Sequence, residues 1–148
     1  MTDLRICLAE LPKDLPQIYQ IRYLVFQIEQ GVEPELEFDG KDDTSTHFLV
    51  YLEEKPVGTA RVRFLQPHIA KVERVAVLSK LRGKGIGYRL MEYILDYLAT
   101  QNVREVCMHA QTPVRMFYEK LGFEAEGEVF EEAGIPHITM RKLLHELN

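Results

Sequence analysis

VAVLSKLRGKGIGYRL, residues Val75–Leu90, changes character twice. Its first three residues are apolar and end a strand. A loop carrying Gly83, Gly85 and Gly87 follows. Apolar residues at 86, 90, 91, 94, 95 and 98 then recur at helical spacing, which predicts an amphipathic helix from Gly85 to about Thr100. Glycines let backbone N–H groups come close to an anion, and a helix start adds a partial positive charge. Arg82 and Lys84 add whole charges. The segment therefore reads as a phosphate cradle. Its G-x-G-x-G spacing is neither the G-x-G-x-x-G dinucleotide fingerprint nor a P-loop, which needs G-K-[ST] to supply a hydroxyl for magnesium. On spacing alone, a glycine-rich turn with solvated cations stays open.

The chain on either side completes an alternating pattern. Ile69–Val77 is the strand that feeds the loop, and Glu105–Ala110 (EVCMHA) is a buried strand after the helix. This strand–helix–strand unit predicts a parallel crossover of right-handed sense. Upstream, Arg5–Ala9 reads as a strand. Leu15–Gln30 reads as a helix, with apolar residues at 15, 18, 21, 24, 25 and 28, Asp14 as N-cap, Pro16 in the first turn and Gly31 at its end. Residues 32–46 read as a polar, acidic loop. His47–Leu52 and Val57–Phe64 are strands joined by a turn at EEKP. Downstream, Pro113–Leu121 is a second amphipathic helix stopped by Gly122, and Ala125–Phe130 and Ile135–Leu144 are strands around a loop at 131–134. The whole, residues 1–148, reads as one α/β domain with helices inserted in a mixed sheet.

Composition narrows the function classes. The chain has 148 residues, enough to bury roughly 70% of its unfolded surface without metals or disulfides. The net charge of −5 argues against a general nucleic-acid binder. The charge is unevenly spread: Glu33–Asp43 carries −5, Arg61–Arg89 carries +7 and Glu119–Glu132 carries −5. Two cysteines in apolar runs, Cys7 and Cys107, give neither a disulfide framework nor a four-ligand zinc site, and the five histidines show no metal spacing. No apolar stretch approaches about 18 residues and no secretory signal is evident, so a cytoplasmic protein with no membrane partner is expected.

Arg82, Gly85 and Gly87 meet the fixed positions of Q/R-x-x-G-x-G/A, and the segment resembles the acyl-CoA pyrophosphate loop of the GNAT superfamily of N-acetyltransferases. A second motif lies about 30 residues on. Gln111–Phe123, QTPVRMFYEKLGF, is similar to the family's N-x-x-A-x-x-x-Y-x-x-x-G-F through Tyr118, Gly122 and Phe123, with Gln111 in place of Asn and Val114 in place of Ala. A third set is Arg22, Val25, Phe26, Glu29, Gln30, then Asp39, Asp42, His47, the Gly134–His137 run GIPH, and Met140. It resembles the bacterial ElaA-like and YjcF-like branch.

The resemblance implies a mostly antiparallel central sheet of about seven strands, with a splayed parallel pair at the cofactor cleft. It implies acetyl-CoA as co-substrate, no metal, and transfer of the acetyl group to a primary amine of a small molecule or peptide by direct attack on the thioester. Val75, Ala76 and Val77 would pair with the pantetheine arm. The N–H groups of Arg82, Gly83, Lys84, Gly85, Ile86 and Gly87 would hold the pyrophosphate, and Gln111 would contact the cofactor. Tyr118 matches the general acid at the thiolate, and a plain helix tyrosine packed beside Phe117 is its alternative. Glu73 matches a base acting through water, with burial raising its pKa, and a salt bridge to a nearby arginine competes closely.

His137, like Glu73, could line the acceptor pocket, with a structural hydrogen bond as the alternative. His109 reads as a satisfied core or sheet-edge histidine, and His47 as a supporting residue only. Arg22 and Glu29 read as one ion-pair network along the first helix. The acidic runs read as solvated faces or as an attraction for a cationic acceptor. A non-catalytic acyl-CoA-binding regulatory module on the same fold is the competing function, and monomer and homodimer are both compatible with the sequence.

Overall fold

A computed structural model describes residues 3–144. Seven strands, β1 (Leu4–Leu8), β2 (Thr46–Leu52), β3 (Lys55–Gln66), β4 (Ile69–Val77), β5 (Glu105–Gln111), β6 (Glu124–Glu132) and β7 (Ile135–Leu143), form one sheet in the order β1-β2-β3-β4-β5-β7-β6. Every neighbouring pair is antiparallel except β4–β5, which is parallel and joined through the long helix. The helices are α1 (Leu15–Arg22), α2 (Pro34–Glu37), α3 (Ile86–Thr100) and α4 (Arg115–Lys120).

Strand alternation sorts the apolar residues to two faces. Phe48, Val50, Ala60, Val62, Val72, Val106 and Met108 meet Ile86, Leu90, Met91, Ile94 and Leu98 of α3, together with Tyr118 and Phe123. On the other face Leu49 and Ala76 meet Ile18, Ile21, Val25 and Phe26 in a smaller core. The β2–β3 and β6–β7 turns are tight. Glu53 and Glu54 both take positive φ, as do Ala133 and Gly134, the geometry of two-residue turns that match strand twist. Lys55 and Pro56, expected in the first turn, already belong to β3.

The first helix differs from expectation in its second half. After Arg22 it widens into π turns over Tyr23–Glu29, and the Gln30 N–H donates to the Val25 carbonyl, 3.1 Å. The wider turn shifts the helical phase. Leu24 and Ile28, on the core stripe of a regular helix, stand 40% and 60% exposed, while Phe26 turns in. Asp14 gives no side-chain cap to this helix. Its carboxylate accepts the Glu10 N–H at 2.8 Å.

The larger correction concerns residues 32–46. The acidic segment is not simply a solvated face: it forms α2 and buries Glu37 and Asp42. Their partners are buried arginines. Arg22 binds Glu37 and donates to Asp42 at 2.7 Å. Arg61 of β3, fully buried, donates to Asp39 at 2.7 and 2.8 Å, to Asp42 at 3.0 Å and to Glu73 at 3.1 Å. Three acids of the run thus neutralise cations brought by α1, β3 and β4. Arg22, Glu37, Asp42 and Arg61 have left water, so the arrangement holds only because each is paired and hydrogen-bonded.

Arg61→Ala leaves three carboxylates without their shared cation. Urea unfolding is expected to show a loss of about 3–5 kcal/mol, the usual cost of breaking a buried pair. Asp39 and Glu73 are both held below the usual carboxylate range by their arginines, Glu73 at about 2. A carboxylate with a lowered folded-state pKa stabilises above its unfolded pKa and loses that contribution as pH falls toward its folded one. Stability is therefore expected to hold above about pH 5 and to fall between about 4.5 and 2, as read by midpoint against pH.

Candidate active site at the fork between two parallel strands

The parallel pair is short. β4 and β5 are in register only from Ile69↔Glu105 to Val72↔Met108. Beyond that point β5 pairs with β7 alone, through to Gln111↔His137, while β4 stays on β3 through to Val77↔Gly58. The edge of Val75, Ala76 and Val77 that faces β5 is thus left without a strand partner. A bulge creates this fork. Between the pairs Thr59↔Ala76 and Arg61↔Glu73, β4 has one more residue than β3, and Arg74 sits there at φ +54°. A non-glycine residue in this region is strained. The Arg74 side chain is tied down, donating to the Leu36 carbonyl at 3.4 Å and the Glu37 carbonyl at 3.0 Å.

β4 leads into the glycine loop. Gly83 and Gly85 take φ +77° and +83°, and a Cβ at either would meet nothing. Glycine is needed there for backbone conformation rather than for space. Gly85 caps α3 with no side-chain hydrogen bond, so the first N–H groups of α3 have no capping side chain. Gly87 differs. A Cβ there would lie 3.5 Å from the Phe117 ring, an ordinary contact, and it marks where α4 packs against the start of α3. Lys84 is exposed beside the loop.

The Arg82 guanidinium departs from its expected place as a free cradle charge. It is held by Glu29 at the end of the π turns, and its Nε donates to the Val77 carbonyl at 3.0 Å. Gln111, at the end of β5, exchanges amide hydrogen bonds with Gln30 at 3.0 and 3.4 Å. Adjacent residues of the first helical segment therefore reach both sides of the fork. The expected Arg22–Glu29 network does not form, since Arg22 belongs to Glu37 and Asp42. The acids and amides at 29 and 30 gave no signal of this bridging, because their partners lie 53 and 81 residues away.

Tyr118 lies on the α3 side, 7% exposed, with Phe117 and Phe123 edge-on at 5.0 and 5.9 Å. Burial alone raises its phenol pKa, so it stays protonated. Glu73 reverses the expected direction. Burial raises its pKa, but the hydrogen bond from Arg63 and the charges of Arg61, Lys71 and Arg63 outweigh it and bring it down to about 2. The salt-bridge alternative describes what is found. His137 is buried, donates from Nδ1 to the Ile135 carbonyl at 2.7 Å and stacks on Phe130. His47 donates from Nε2 to the Asp42 carbonyl at 2.9 Å and stays with the buried ion pairs. His109 binds Glu132 at 2.9 Å. The second acidic run is a solvated edge: Glu124, Glu126, Glu128, Glu131 and Glu132 on β6 are exposed, and Glu126 pairs with Arg141.

A model of the acetyltransferase (GNAT) domain matches residues 25–144. The chain is 37% identical over 132 residues to the uncharacterised protein YyaT of Bacillus subtilis, covering 87% of this chain and 88% of that one. It is 34% identical over 140 residues to the uncharacterised N-acetyltransferase YjcF of the same organism, with 94% and 99% coverage. Among solved structures, Escherichia coli ElaA superposes with a TM-score of 0.81 at 29% identity, over 96% of this chain and 99% of that one. An acetyltransferase of the GNAT family from Elizabethkingia anophelis, solved with acetyl-CoA bound, shares the fold at a TM-score of 0.77 and 17% identity, over 97% of this chain and all of that one. With a forked parallel pair, a glycine-loop helix start and these matches across most of its length, the chain belongs to the GNAT acetyltransferase family, on the branch of ElaA and YjcF.

Proposed function

We propose that the protein transfers an acetyl group from acetyl-CoA to a primary amine of a small molecule or peptide. The observation that carries this reading is the continuity of two features. The unpaired edge of β4 runs through Leu78 and a short turn at Ser79–Leu81 into the glycine loop and α3. One extended ligand with an amide-bearing arm at one end and a diphosphate at the other matches both. The arm adds as a strand beside Val75–Val77, using backbone groups that no strand satisfies. The diphosphate accepts from the N–H groups of Arg82 to Gly87. The amine attacks the thioester carbonyl, and a backbone N–H near Val75 stabilises the oxyanion.

Tyr118 supplies the proton to the leaving thiolate, its buried phenol being neutral at working pH. Gln111 and Arg82 act as walls fixed by Gln30 and Glu29. Glu73, ionised and surrounded by cations, is too weak a base to remove the amine's proton directly. We assign it to the floor of the acceptor side. The attraction for a cationic acceptor loses Glu37, Asp39 and Asp42, which are neutralised internally.

Calorimetry with acetyl-CoA is expected to show binding that weakens with salt, and no binding at low salt would overturn the proposal. Gly85→Ala places a β-carbon at φ +83°, which costs about 1–2 kcal/mol in the left-handed region. Acetyl-CoA affinity is expected to drop roughly tenfold as the loop relaxes. Tyr118→Phe keeps the packing and removes the proton. In an amine panel scored by thiol release, kcat should fall about 100-fold with acetyl-CoA affinity unchanged. Equal turnover in this variant would remove its acid role.

A further inference from the structure

The fork leaves one group of residues without a task. Val72↔Met108 is the last parallel pair, so Glu73 and His109 are the first residues past the branch point on each strand. Val72 and Met108 face the core under α3, so alternation turns Glu73 and His109 to the opposite face. On that face α1 packs on β3 and β4, and the first helical segment meets β5 at Gln111. One member of this pair is spent, because Glu73 is held as an anion by Arg61, Arg63 and Lys71. The other is not.

His109 has a side chain 31% exposed, its Nδ1 is 2.9 Å from Glu132 Oε1, and Phe130 meets its ring edge-on at 4.9 Å. An ionised carboxylate only accepts, so Nδ1 carries the ring proton and the neutral imidazole keeps its lone pair on Nε2. Glu132 and Phe130 thus fix both tautomer and ring orientation, as a carboxylate does for a catalytic imidazole. The neighbouring His137 is unsuited. It is 7% exposed, with Nδ1 on the Ile135 carbonyl and Nε2 3.8 Å from Glu132. We propose that His109, oriented by Glu132, is the general base that removes the proton from the acceptor amine. The proposal rests on the acetyltransferase reading above.

The step balances as follows. His109 Nε2 takes one proton from the substrate ammonium, directly or through a water. The freed nitrogen lone pair forms the N–C bond to the acetyl carbonyl carbon. Collapse of the tetrahedral adduct breaks the C–S bond, the nitrogen passes its second proton to water, the thiolate takes one from Tyr118, and water returns a proton to the Tyr118 phenolate. The imidazolium returns its proton to solvent, so one proton is released overall. The charged and titratable groups around His109 are Glu132 from β6 and His137 from β7. Along the same face lie Cys107 on β5, Arg141 on β7, and Lys71 and Glu73 on β4, whose charges reach the Cys107 thiol.

The test measures thiol release from acetyl-CoA with a panel of primary amines headed by 2-phenylethylamine, from pH 6 to 9, corrected for each amine's own ionisation. A base acts when unprotonated, so wild-type kcat/KM should rise with pH on the acid side. His109→Gln should lose that rise and about 100-fold in rate, with acetyl-CoA affinity by calorimetry unchanged. Glu132→Gln, at an exposed position that tolerates change, should keep the acid limb but lose about tenfold through a loosened tautomer. A His109→Gln enzyme with the wild-type rate and pH profile overturns the base assignment and leaves the acetyltransferase reading standing. A wild-type enzyme that binds acetyl-CoA and releases thiol with no amine overturns both.

Discussion

Arg74 occupies left-handed backbone in the middle of a strand, and the geometry of the fork depends on its being held there. Such a conformation costs on the order of 1–3 kcal/mol for a residue with a side chain. The guanidinium offsets this by gripping the carbonyls of Leu36 and Glu37. Those carbonyls are fixed in turn, because the Glu37 carboxylate is bound by Arg22 of α1. A chain of polar contacts therefore runs from the first helix, through α2, to the bulge that turns β4 away from β5. Without the bulge, the register Ile69↔Glu105 to Val72↔Met108 could continue, and the sheet would close where the fork now opens.

The charge layout follows from the same contacts. The basic block from Arg61 to Arg89 serves two purposes that a net count merges. Arg61, Arg63 and Arg74 are neutralised by Glu37, Asp39, Asp42 and Glu73, and they hold the acidic segment on the sheet. Lys80 and Lys84 remain exposed around the loop, with Arg82 committed to Glu29. The positive potential available to a diphosphate is thus more local than the +7 total suggests, and it is supplied as much by backbone N–H groups as by side chains.

The strands, the long helix and the glycine loop were legible because each obeys a local rule. Ile69–Val77 appears with the expected bounds, and α3 begins one residue after Gly85. The family motifs were legible for the same reason, since their residues are close in sequence. What was not legible depends on distant partners. The π turns over Tyr23–Glu29 break the helical phase that placed Leu24 and Ile28 on the core stripe. The strain at Arg74 leaves no trace in composition. The direction of the Glu73 shift was misjudged because burial and ion pairing oppose each other. Only the positions of Arg61, Arg63 and Lys71 decide which prevails. His109 is satisfied, as its sequence suggests, but its partner Glu132 was not legible because it sits two strands away in the sheet order.

The fork also bears on the proposed chemistry, which needs two proton transfers of opposite sense. Tyr118 belongs to the core under α3, while His109 and Glu132 lie on the other face of the same sheet. On the proposed reading, a thioester held along the open edge of β4 lies between these two faces. The proposed acid and the proposed base then stand on opposite sides of the sheet. The phenol is buried and protonated, whereas the imidazole is partly exposed. This separation needs a gap in the sheet, and the gap exists because Arg74 is held against its backbone preference.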